Sequence, residues 1–64
     1  MIDQTLDRAI TEAARFIVQA KRLRAARKRD RDVGLPLRHP VESGAARRAS
    51  MDLTRALADL RQGR

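Results

Sequence analysis

The chain has 64 residues, a net charge of +7, 36% charged side chains and no cysteine. Those figures confine it to one small domain without disulfides and exclude a cysteine-based zinc site, while a single histidine among scattered carboxylates is poor material for any transition-metal centre. Of its 27 hydrophobic residues 11 are alanine, so large side chains are too few for a solitary core, and self-association or a partner is expected.

Residues 3 to about 31 predict a long helix. From Asp3 to Val33 there is no Gly or Pro, and Ala, Arg, Leu and Gln are frequent, all good helix formers. Asp3 is the expected N-cap. Asp7 and Glu12 lie toward the positive end of the helix dipole and the arginines toward its negative end, which is the favourable order. Ile2, Leu6, Ala9, Ile10, Ala13, Phe16, Ile17, Ala20 and Leu23 recur in steps of three and four, giving one apolar face. The subset 2, 6, 9, 13, 16, 20, 23 alternates strictly, as in a coiled-coil seam. Beyond Leu23 the same face continues as Arg24, Arg27, Lys28 and Arg31. The apolar stripe therefore turns cationic without changing sides.

Residues 32–44, DVGLPLRHPVESG, read as a connection. Gly34, Pro36, Pro40 and Gly44 are expected to break helix there. Val33, Leu35, Leu37 and Val41 are apolar groups that either fold back over the helices as a lid or form a short docking segment.

Residues 45–62 predict a second helix, with Ser43 as its N-cap and Gly63 as its stop. Ala46, Ala49, Leu53, Ala56, Leu57 and Leu60 share a face. Asp52 and Asp59 fall on one flank of that face, and Met51 and Ala58 lie off it. The expected fold is an all-α helical hairpin that dimerises into a small bundle. In that bundle Ile2, Leu6, Ile10, Phe16, Ile17 and Leu23 meet Leu53, Leu57 and Leu60.

Charge is concentrated in one place. Residues 1–20 net −1, residues 21–31 net +6 and residues 32–64 net +2. Lys21, Arg22, Arg24, Arg27, Lys28, Arg29 and Arg31 supply the excess, and such a block points to a polyanion, most often nucleic acid. These cations surround the helix, which suits a helix lying in a groove with phosphate on both walls. Trp and Tyr are absent and Phe16 lies in the apolar stripe. The aromatic platforms that bind single strands are therefore missing, while duplex backbone contact needs none. The leading expectation is a small non-enzymatic regulator that binds duplex nucleic acid. The alternative is a helical interaction protein, of the kind phages and plasmids encode, that inhibits or adapts a larger protein partner.

Catalysis is not expected. His39 sits in LRHP with Glu42 and Ser43 nearby, but no glycine-rich oxyanion motif or nucleophile elbow frames them. No cofactor or metal is implied. There is no apolar run of the roughly 18 residues that a membrane span requires, and Asp3 and Asp7 stand where a signal peptide carries basic groups. A cytoplasmic location follows as the expectation. The Ala- and Arg-rich, Lys-poor composition suggests a GC-rich bacterial, phage or plasmid source.

Overall fold

The computed structural model describes residues 2–34 and 39–64. Two helices, α1 (Asp3–Val33) and α2 (Pro40–Arg61), pack against each other as an antiparallel hairpin. The rod measures 48 × 14 × 14 Å between Cα atoms, a length set by the 31 residues of α1 rising about 1.5 Å each. No helix among the described residues is long and apolar enough to cross a membrane.

The α1 seam consists of Thr5, Ala9, Glu12, Phe16, Gln19, Leu23, Ala26 and Asp30, all buried or half-buried. Its α2 counterpart is Glu42, Ala46, Ala49, Leu53, Ala56 and Leu60. Both rows step alternately by four and three, the spacing of a left-handed coiled coil. Among the described residues the buried hydrophobic ones are Ala9, Ala26, Ala46, Ala49 and Ala56. The two helices thus meet along methyl groups, interspersed with the half-buried Phe16, Leu23, Leu53 and Leu60.

The seam differs from the expected one. Of the row 2, 6, 9, 13, 16, 20, 23, only Ala9, Phe16 and Leu23 lie on the line facing α2. The apolar stripe of α1 is broader than one neighbouring helix can cover, so α2 occupies one edge of it. The other edge stays open: Ile2 is 58% exposed, Leu6 42%, Ile10 60% and Ile17 50%. Within the chain the two predicted stripes meet in part, through Ala9, Phe16 and Leu23 of α1 and the Ala46–Leu60 face of α2.

Helix ends also depart from expectation. Ile2, not Asp3, is the N-cap of α1, and it makes no side-chain capping bond. Asp3 is instead the first helical residue, where its charge faces the positive dipole end. Gly34 terminates α1 in the left-handed region at φ 77°. Its N–H donates to the Arg31 carbonyl at 3.3 Å.

The second helix begins at Pro40, with His39 as N-cap, five residues ahead of the predicted start at 45. Pro40 opens this helix instead of breaking it, because the first turn leaves that N–H unpaired anyway. Ser43 is therefore interior and donates its N–H to the His39 carbonyl at 2.8 Å. Gly44 lies within the helix, its cost outweighed by the alanine-rich turns that follow. The C-terminal stop is as expected, with Gly63 at φ 74°.

Val33 and Val41 are 63% and 79% exposed, so neither covers the hairpin as a lid. Leu35 and Leu37 lie outside the described residues.

Candidate nucleic-acid interface

The two ends of the rod treat their cations differently. At the open end carboxylates answer them across the seam. Arg8 Nη1 lies 3.5 Å from Asp59 Oδ2, and Arg15 Nη1 lies 3.9 Å from Asp52 Oδ2 and 3.7 Å from Glu12 Oε2. Asp59 also receives Arg64 at 3.4 Å. The flank shared by Asp52 and Asp59 is thus the charged edge of the hairpin. The apolar edge with Leu6, Ile10 and Ile17 lies on the opposite side of α1.

At the closed end the pattern reverses. Lys21, Arg22, Arg24, Arg27, Lys28, Arg29 and Arg31 are all exposed, and among the described residues none of them forms an ion pair. At 100° per residue, Arg24, Arg27 and Arg31 form a row on the apolar edge. Lys21 and Lys28 stand behind them, and Arg22 and Arg29 occupy the other flank. Only the side held by Ala26 and Asp30 is taken by α2.

The acidic group of this segment faces inward. Asp30 Oδ2 lies 2.7 Å from His39 Nε2, and Glu42 Oε2 lies 3.9 Å from His39 Nδ1. Both Asp30 and His39 are nearly buried. The contact is close, but it is not an in-line hydrogen bond; it becomes an ion pair when the imidazole is protonated. His39 thereby ties the first turn of α2 to the last turns of α1, which is a packing role. Asp30 is the one carboxylate inside the basic block, and among the described residues its close partner is His39, with no Lys or Arg paired to it.

Folding adds residues that the linear reading did not group with the block. Arg47 and Arg48 on α2 are exposed, and the hairpin sets their turn of α2 beside the middle of α1, where Ala46 lines a groove with Leu23 and Arg24. Arg48 shares a cleft with Arg15 and Gln19. A groove of about 310 Å³ opens on the apolar edge, with Phe16, Ala20, Leu23 and Ala46 as its floor and Arg24, Arg27 and Arg31 as its rim.

The predicted interface residues divide into two sets. Phe16, Leu23, Leu53, Leu57 and Leu60 are half-buried in the hairpin, whereas Ile2, Leu6, Ile10 and Ile17 face outward. Among the described residues no three His, Asp or Glu side chains come together as a metal-binding group. The chain matches no family model, and no curated protein or solved structure matches it.

Proposed function

We propose that this protein binds duplex nucleic acid through the closed end of the hairpin, holding backbone phosphates without reading bases. The observation that carries the reading is the set of seven exposed cations on the last turns of α1, none of which forms an ion pair among the described residues. Fixed like charges this close repel one another, and a polyanion relieves that repulsion while releasing its own counterions. Arg47 and Arg48 widen the cationic surface onto α2. Nothing in this reading requires a cofactor or a catalytic group.

A mobility-shift titration with duplex DNA at two salt concentrations tests it. With six or more phosphate contacts, affinity falls by about a thousandfold or more between 50 and 200 mM salt. Charge reversal at Arg24, Arg27 and Lys28 abolishes the shift and leaves helicity unchanged, since all three side chains are exposed. Duplex binding retained by that triple variant at moderate salt overturns the reading.

The groove favours a second reading, in which the protein docks on another protein chain. Its apolar floor and arginine rim complement a segment that alternates apolar and acidic residues. Such a partner binds the triple variant weakly as well, but it binds wild-type protein without any duplex present.

A further inference from the structure

The second reading leaves the occupant of the groove open, and the chain itself carries a segment of the required kind. Residues 2–7 read IDQTLD. Ile2 and Leu6 protrude at 58% and 42% exposure, with Asp3 and Asp7 exposed beside them. Segment and groove lie on the same edge of α1 at opposite ends of the helix. A surface that carries both a ridge and its matching groove on one edge is self-complementary under a two-fold axis.

We infer that a second copy of this chain seats on that edge antiparallel, so that Leu6 and Ile10 of each protomer enter the groove of the other. The inference rests on the groove reading; the pairing engages Arg24 and Arg27 at the groove rim and leaves Arg22, Lys28, Arg29 and Arg31 for a polyanion. Residues 3, 6, 10, 13, 17, 20, 24 and 27 form one row stepping by three and four, which is a second seam beside the one that α2 occupies. In an antiparallel pairing with large residues set against small ones, Ile10 meets the partner's Ala20 and Ala13 meets the partner's Ile17. The same register sets Leu6 against the partner's Arg24 and Asp3 against the partner's Arg27. Asp7 then falls near the partner's Lys21.

Charge selects the direction. Residues 1–20 net −1 and residues 21–31 net +6. A parallel pair stacks the two cationic tips on each other. The antiparallel pair brings each tip to the acidic first turns of its neighbour and leaves most of the cations unanswered.

The test combines mass and cross-linking. Sedimentation of the wild-type chain gives twice its 7.2 kDa mass. Ile10→Asp and Ile17→Asp, both at exposed positions, each halve that mass and keep the helical circular dichroism. An equimolar mixture of Ile10→Cys and Ala20→Cys chains oxidises to the mixed dimer, whereas either chain alone does not cross-link. A monomeric wild type overturns the inference and returns the groove to a foreign partner. Disulfide-linked dimers from Ile10→Cys alone overturn the antiparallel direction. A dimer indifferent to both aspartate variants overturns the surface.

Discussion

Alanine at the seam decides how closely the two helices approach. Ala49 is 3% exposed and Ala56 1%, and each presents a methyl where most cores carry Leu or Ile. A buried methyl contributes roughly 0.8 kcal/mol, against about 1.5–3 for a large aliphatic side chain, so the seam trades depth of burial for closeness. Space for a longer group is lacking at these positions. Ala56→Leu is expected to destabilise the hairpin by about 1–3 kcal/mol through overpacking. Ala25→Leu, at an exposed position, stays within about 0.5 kcal/mol of wild type. Urea titrations followed by circular dichroism compare the two. An Ala56→Leu midpoint equal to that of wild type contradicts the close-packed seam.

At the scale of the elements, both helices and the stop at Gly63 were legible in sequence, because each rests on local signals: a stripe of period 3.6, a run without Gly or Pro, and a glycine able to take positive φ. The start of α2 was not legible. Proline and glycine are weak helix residues taken singly, yet Pro40 occupies the first turn, where its missing N–H costs nothing. Gly44 is carried by the turns on either side. A side chain built at Gly44 meets no atom within 4 Å, and its backbone is helical. Gly44→Ala is therefore expected to stabilise the protein by about 0.5–1 kcal/mol, by lowering unfolded-chain entropy and raising helix propensity. In a domain of this size that raises the thermal midpoint by a few degrees, roughly 4–8 °C per kcal/mol. A lower midpoint counts against a helical Gly44.

The whole molecule is an electrostatically polar rod. Its open end balances arginine against Asp52 and Asp59 across the seam. Toward its closed end the cations of α1 form no ion pair among the described residues, and Arg47 and Arg48 of α2 extend the cationic surface along the middle of the rod. The contribution of α2 is separable from that of the basic block. Arg47→Glu with Arg48→Glu is expected to weaken duplex binding at every sequence tested and to lower the slope of log affinity against log salt by about 2. Fluorescence anisotropy over a salt series measures that slope. An unchanged slope confines the interface to α1. The basic block was legible because its residues are contiguous. The two α2 arginines were not, because only the hairpin brings them within reach of it.

What the sequence determined by itself was therefore local and periodic: two amphipathic helices, the place where α1 turns from apolar to cationic, and the glycine at the far end of α2. Tertiary structure decided which edge of the broad α1 stripe is covered. That choice depends on how methyl-lined surfaces and flanking charges fit across the pair, with Arg8 reaching Asp59 and Arg15 reaching Asp52. A helix stripe wider than its neighbour offers several packing angles of similar local merit. Only the partner surface breaks that degeneracy, and in doing so it leaves Leu6, Ile10 and Ile17 facing outward.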